Sequence, residues 1–192
     1  AACKNASKAM WKDFYVAKWN EISTLSNDWV SNSRFSNNYG LDKIVKVKTI
    51  TIDKLIEMYG KPDLIKLDVE GYEYNAILGL SQKVDKICFE FAEEEKENII
   101  KSCKYLSQLG YNKFGYIEGD EYLKEPDVYE NIENFKLFDI LNKDRKEMWG
   151  MIWVKSERKI SLAITSYNRD EYTISSFKNV LDDDRISEIV IC

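Results

Sequence analysis

The sequence predicts an α/β protein with a mostly parallel sheet and helices on both faces. Apolar stretches of strand length alternate with stretches of helical period, which is typical of strands joined by crossover helices. At 192 residues and 44% hydrophobic composition, the chain can bury a core. The composition changes at 156–159 and the pattern then restarts. We therefore expect two domains, 1–157 and 158–192.

The first elements are strands at 13–17 and 44–51, the second alternating apolar and polar residues as a half-solvated strand does. Between them lies a Ser- and Asn-rich ordered loop, anchored by Trp19, Trp29 and Phe35. A helix at 52–59 is followed by glycine and proline, a typical helix stop. The remaining predicted elements are strand 63–69, helix 72–80, strand 86–91, helix 95–109, strands 113–117 and 149–154 that could pair as an antiparallel edge, then strand 160–164, helix 171–181 and strand 188–192.

Composition argues against several classes of protein. The chain has no histidine, so zinc-histidine sites and Ser-His or Cys-His pairs are excluded. The net charge of −5, without a basic stripe, gives no support for nucleic-acid binding. No apolar run is long enough to predict a membrane span. Four scattered cysteines without CxxC spacing predict reduced thiols and a cytoplasmic location.

Three carboxylates follow the apolar strand at 63–69, and they form the leading candidate site. Asp68 and Glu70 lie at its carboxyl end, Gly71 permits a turn, and Glu73 opens the next helix. In open α/β sheets, ligands bind at this end of the strands. Crowded carboxylates can have a raised pKa, which suits proton removal or contact with a cationic ligand. Alternatively, Glu70 and Glu73 are solvated acids at a helix N-terminus.

Two further polar segments are candidates. Hydroxyls, an aromatic ring and a lone arginine in the first loop suit a sugar-like ligand, although a packed surface loop has the same composition. These candidates are Ser23, Thr24, Ser26, Trp29 and Arg34. The polar turn Thr165, Ser166, Tyr167, Asn168 and Arg169, between a strand and a helix, could hold phosphate or a base. The alternative there is an ordinary N-cap at Ser166 or Asn168.

The segments Val-Lys-Thr-Ile-Thr-Ile-Asp-Lys-Leu-Ile, Pro-Asp-Leu-Ile-Lys-Leu-Asp-Val-Glu-Gly-Tyr-Glu and Ile-Leu-Gly-Leu resemble the C-terminal half of FkbM-type methyltransferases. The upstream Glu-Ile-Ser-Thr-Leu-Ser-Asn-Asp-Trp is also similar to members of that family. The resemblance implies a Rossmann-like class I fold, S-adenosylmethionine as the donor, and O-methylation of sugars or glycan-like hydroxyls. It matches Asp68, Glu70, Gly71 and Glu73 to the family's acidic signature, with Asp68 and Gly71 toward the donor and the acids as catalytic residues.

The tail Ile-Ser-Leu-Ala-Ile-Thr-Ser-Tyr-Asn-Arg, followed by Asp-Asp-Asp-Arg-Ile-Ser-Glu-Ile-Val-Ile, resembles the opening of family 2 (GT-A type) glycosyltransferases. That resemblance implies nucleotide-sugar contacts at 165–169. The chain lacks the Gly-rich donor turn that such methyltransferases carry before this half, since its first glycine is Gly40. It also stops at Cys192 within an apolar strand. We therefore expect a fragment of a longer glycan-modifying protein with weak or no activity of its own.

A second hypothesis comes from another class of protein. A methyltransferase-derived fold without its donor loop could act as a non-catalytic assembly module. Its uncovered sheet edge would then favour a homodimer. The metal requirement stays open at this point.

Overall fold

The computed structural model describes residues 10–37, 40–119, 124–142, 148–156, 160–164 and 186–191. The chain divides into two compact units, Ala1–Ser156 and Glu157–Cys192. In the part of the chain described, no helix combines the length and apolar character needed to cross a membrane.

The first two strands form a hairpin of their own. Strand β1 (Met10–Ala17) pairs antiparallel with β2 (Leu41–Thr49), and the register runs from Met10 opposite Thr49 to Ala17 opposite Leu41. Both strands were predicted, but not their pairing outside the central sheet. The intervening segment contains a short 3₁₀ helix, Asn20–Ile22, and helix α1 (Asn27–Asn32), where we expected a loop.

The central sheet has four strands in the order β3-β4-β6-β5. These are β3 (Leu64–Leu67), β4 (Lys86–Ala92), β5 (Lys113–Glu118) and β6 (Trp149–Lys155). Strands β3 and β4 are parallel, whereas β6 runs antiparallel to both β4 and β5. The predicted antiparallel pairing of 113–117 with 149–154 is confirmed. However, β6 lies inside the sheet, so β5 and β3 form its edges.

Four helices of the first unit lie on one face of this sheet. They are α2 (Ile52–Tyr59), α3 (Glu73–Ile77), α4 (Lys96–Gln108) and α5 (Leu137–Leu141), with short 3₁₀ helices at Glu93–Glu95 and Ile132–Asn134. Buried residues of these four helices join one core cluster with Phe89 and Ile152. The expectation of helices on both faces is therefore wrong for these four helices.

The opposite face carries a smaller cluster of Cys88, Met151 and Trp153, with Tyr129 packed against it. On this face the segment at 124–130 lies where a helix was expected. It runs beside β5, and Phe114 and Glu130 form a β-bridge there. The strand pattern encodes which residues are buried, but not whether a helix or a loop covers them.

Two cysteines are described, and both are free and buried. Burial raises the pKa of the Cys88 thiol to about 12 and raises that of Cys103 as well. Thiols in such surroundings stay protonated and unreactive. For these two residues, the expected reduced state is confirmed.

In the second unit, β7 (Ile160–Ile164) pairs with β8 (Ile186–Ile191) in parallel. The predicted strands at 160–164 and 188–192 are thus present, with the second beginning earlier. The predicted helix at 171–181 lies outside the described residues.

Candidate active site

The turn after β3 brings the leading carboxylates together. Glu70 and Gly71 have φ values of 52° and 75°, so two consecutive residues adopt the left-handed region and turn the chain into α3. Glycine tolerates this conformation, whereas for a glutamate it costs about 1–2 kcal/mol. A strained residue at the end of a parallel strand is a frequent feature of functional sites.

A fourth acid, Glu90, joins the site from the neighbouring strand. Strand β4 is parallel to β3, with Leu67 opposite Phe89, so Glu90 comes next to the end of β3. One carboxylate oxygen from each of Asp68, Glu70 and Glu90 lies within 4.8 Å of those from the other two. We did not predict Glu90 as a site residue, although the rule that carboxyl ends of parallel strands meet at one edge could have found it.

This oxygen set could hold a hard cation such as Mg²⁺, which prefers carboxylate ligands. Asp68 has another partner, since its Oδ2 lies 2.6 Å from Nζ of Lys66. A cationic group of an organic ligand would meet the same negative charges. The arrangement therefore favours positively charged ligands of either kind.

Burial and mutual repulsion raise the pKa values of two members of the cluster. For Glu70, burial and then the charges of Asp68 and Glu73 raise the pKa to about 7, against the opposing effect of the Trp29 indole. For Glu90, burial and then the neighbouring acids raise the pKa to about 8. A carboxylate with a pKa near 7 is suited to general base catalysis at neutral pH.

Glu73 stabilises the turn through a hydrogen bond to its backbone. It is only 8% exposed, and its Oε1 accepts a hydrogen bond of 2.9 Å from the Val69 N–H. Burial raises its pKa to about 7, although hydrogen bonds from backbone N–H groups oppose the rise. Its contact with the backbone gives it a supporting position in the turn.

The hydroxyls predicted to bind a ligand form hydrogen bonds within the protein. Ser23 Oγ accepts from the Ala17 N–H, and Ser26 Oγ accepts from the Trp29 N–H as the N-cap of α1. The fully buried Thr24 donates its hydroxyl to the Glu70 carbonyl at 2.6 Å. These bonds tie the first loop together and connect it to the acidic turn.

Trp29 and Arg34 attach the same loop to the end of the sheet. Trp29 is 3% exposed and packs on Gly71, and its indole N–H lowers the pKa of the Glu70 carboxyl. Arg34 forms a bidentate pair with Glu94, at 2.7 and 2.6 Å. Trp29 and Gly71 also line a narrow cleft that continues to Glu90.

The structure thus brings Thr24 and Trp29 onto the acidic turn, and it places Ser23, Ser26 and Arg34 in the same loop but in contacts within the fold. Their binding of a ligand stays a prediction. The predicted nucleotide-sugar residues, Thr165 to Arg169, lie outside the described residues.

Comparison with known proteins gives a family for this arrangement. The sequence profile of the methyltransferase FkbM domain matches residues 11–113, more than half of the chain. The matched segment includes the hairpin, the acidic turn and Glu90. A search of curated proteins and a search of solved structures returned no significant match. On the profile match, this chain belongs to the FkbM methyltransferase family.

Proposed function

We propose that this chain is part of an S-adenosylmethionine-dependent O-methyltransferase that acts on a hydroxyl of a sugar or glycan-like acceptor. The observation that carries the proposal is the convergence of Asp68, Glu70 and Glu90 at the end of the parallel pair β3-β4. Membership of the FkbM family supports methyl transfer as the reaction class.

The chemistry of the acidic turn fits the proposed donor. When bound, S-adenosylmethionine would supply a methyl group on a positively charged sulfur, for displacement by the acceptor oxygen. Asp68 and Gly71 are the residues that would hold it. Asp68 and the ionised fraction of Glu70 would provide the negative charge that a cationic donor requires.

In this proposal, Glu70 removes the proton of the acceptor hydroxyl. Its pKa of about 7 leaves part of the population ionised at neutral pH, and the proton passes to a carboxylate oxygen. Asp68 maintains the negative field, and Glu73 holds the Val69 N–H and thereby the turn. On the first loop, Ser26 and Arg34 would lie on the acceptor side of the site.

Calorimetry and a transfer assay test this proposal. We expect heat of binding when the 192-residue chain is titrated with S-adenosylmethionine from micromolar to millimolar concentration, and transfer of labelled methyl to a panel of methyl glycosides. Asp68→Ala should abolish transfer, whereas the matched control Glu97→Ala, an exposed acid on α4, should not. Unchanged turnover in Asp68→Ala would remove that residue from the mechanism.

A second candidate function, a non-catalytic assembly module, is favoured by a different observation. Among the described residues β3 pairs with β4 alone, and its Leu64 is 45% exposed. An open edge of this kind can pair with a second copy of the chain. Light scattering should then report a dimer that Leu64→Lys dissociates and the control Val128→Lys, at an exposed residue elsewhere, does not. Absence of donor binding together with a stable dimer would favour this candidate.

For the second unit, we propose the beginning of a family 2 glycosyltransferase domain, fused to the methyltransferase. The parallel pairing of β7 and β8 supports this, because parallel strands require a crossover connection such as the predicted helix. Weak binding of UDP that is lost in Arg169→Ala is the expected result. Equal binding by parent and variant would contradict it.

A further inference from the structure

We propose that Thr24 is a positioning residue, whose hydroxyl fixes the strained turn and thereby aims the Glu70 carboxylate at the reacting hydroxyl. This inference rests on the proposed function for the role of Glu70. It gives Thr24 a different role from the direct ligand contact expected from the sequence.

The hydroxyl of Thr24 is hydrogen-bonded to the turn. It donates to the Glu70 carbonyl at 2.6 Å, and it accepts from the Ser26 N–H at 2.9 Å. The side chain is fully buried, so the hydroxyl is not accessible to a substrate. Its one proton and one of its lone pairs are therefore used within the protein.

Thr24 is itself held rigidly by the hairpin. Its N–H donates to the Tyr15 carbonyl at 3.0 Å, and its carbonyl accepts from the Tyr15 N–H at 2.8 Å. These two bonds form an antiparallel bridge between the first loop and β1. The position of the hydroxyl is thus set by β1, not by the acidic turn that it contacts.

The turn needs such support because of its backbone conformation. Glu70 has a φ of 52°, which is unfavourable for a glutamate. Strained conformations persist only where the surroundings impose them. Here Glu73 holds the Val69 N–H on one side and Thr24 holds the Glu70 carbonyl on the other.

A carboxylate oxygen of Glu70 lies within 4.8 Å of oxygens of Asp68 and Glu90. Loss of the Thr24 hydroxyl should therefore relax the turn and move the Glu70 carboxylate away from these two residues. A displacement of about 1 Å at a reacting group can lower the rate by up to about a hundredfold. Because Thr24 does not touch the substrate in this proposal, binding of the donor should change little.

The test compares Thr24→Val, which keeps the shape and removes the hydroxyl, with Thr24→Ser, which keeps the hydroxyl. NMR resonances of the Glu70 carbonyl and the Gly71 N–H report the hydrogen bond, and the amide coupling constant of Glu70 reports its φ. Transfer of labelled methyl from S-adenosylmethionine to methyl glycosides gives kcat and KM.

We expect Thr24→Val to shift these resonances and to lower kcat by at least about tenfold, with the KM for S-adenosylmethionine nearly unchanged. Thr24→Ser should restore both. Ser23→Ala is the matched control, because it removes a hydroxyl that bonds to Ala17 and should leave the turn resonances as they are. If Thr24→Val does not fold, Thr24→Cys replaces it, since a thiol is a weak donor.

Unchanged Glu70 and Gly71 resonances in the hydroxyl-free variant would overturn the inference, and so would an unchanged kcat. If the parent chain transfers no methyl group, the proposed function fails, and the NMR comparison still decides whether Thr24 holds the turn. The two failures are therefore distinguishable.

Discussion

The ring of Trp29 occupies the space that a side chain would take at Gly71. A Cβ built on Gly71 would lie 2.9 Å from Cε3 of Trp29, and the residue has a φ of 75°. The glycine of the acidic turn is therefore required twice, for its backbone conformation and for the close packing of the loop above it.

We predict that Gly71→Ala destabilises the protein more than a glycine substitution with equal backbone strain. Gly119 is the matched control, since its φ is 74° and no atom of the described residues lies within 4 Å of a built Cβ. Gly119→Ala should cost about 1–2 kcal/mol for the left-handed conformation alone. Gly71→Ala should cost about 1–3 kcal/mol more because the ring must move. Urea unfolding measures the free energy of unfolding of both variants. An equal decrease in the two would show that the Trp29 ring moves without an energetic cost.

The pair of Arg34 and Glu94 should couple the first loop to the end of β4. Its side chains are 20% and 27% exposed, and the guanidinium binds both carboxylate oxygens. A double-mutant cycle with alanine should give a coupling free energy of about 1 kcal/mol. The exposed pair Lys54–Glu57 is the control, with an expected coupling of about 0.3 kcal/mol.

This coupling should also depend on pH. Burial would raise the pKa of Glu94, but the hydrogen bonds and charge of Arg34 outweigh it and hold the pKa below its ordinary value of 4.5. A depressed pKa gives stability that is present above 4.5 and lost as the pH falls through the folded-state pKa. Coupling that persists unchanged at pH 2 would contradict the ion-pair interpretation.

Features of the fold that depend on neighbouring residues could be predicted from the sequence, whereas those that depend on long-range contacts could not. Helix α2 begins and ends where the pattern predicted, at 52–59, because its N-cap Thr51 and the following Gly60 are local signals. Helix α3 ends earlier than predicted, at Ile77, since the chain then turns so that the Gly79 carbonyl accepts from the Asp53 N–H. No local pattern encodes that contact.

The same distinction applies to the candidate site. Asp68, Glu70 and Glu73 follow one strand in the sequence, so their proximity could be predicted. Glu90 comes from another strand, and its place in the cluster depends on the parallel register of β3 and β4. Hydroxyl-rich composition at 23–26 predicted ligand contacts, whereas the structure uses these hydroxyls as hydrogen-bonding partners of the backbone.

Glu73 should make the protein less stable as the pH rises. Its folded pKa of about 7 lies above the ordinary 4.5, so the folded state binds more protons between these values. Stability must therefore fall as the pH rises from 4.5 to about 7 and then stay level. The loss attributable to this group is on the order of 3 kcal/mol. Glu70 and Glu90 act in the same direction.

We expect Glu73→Gln to remove this part of the pH dependence, because its amide oxygen can still accept from the Val69 N–H and carries no charge. The variant should be more stable than the parent at pH 8 and similar near pH 5. Urea unfolding at a series of pH values measures this, with Glu97→Gln at an exposed site as the control. Parallel curves for Glu73→Gln and the parent would mean that Glu73 is ionised without penalty in the folded state.

Glu73→Gln should also move the pH dependence of methyl transfer to lower pH. After burial and the charge of Asp68, the charge of Glu73 helps raise the pKa of Glu70 to about 7. Removal of that charge makes Glu70 easier to ionise, so the acid limb of the kcat profile should move down by less than about 1 pH unit if Glu70 is the base. Glu90→Gln is the comparison: the pKa of Glu90 is about 8, above that of Glu70, so Glu90 is still mostly protonated while Glu70 ionises, and its substitution should leave the acid limb in place. Glu97→Gln again serves as the control, and its profile should match that of the parent. A profile that stays in place in Glu73→Gln would show that Glu70 is not the titrating base.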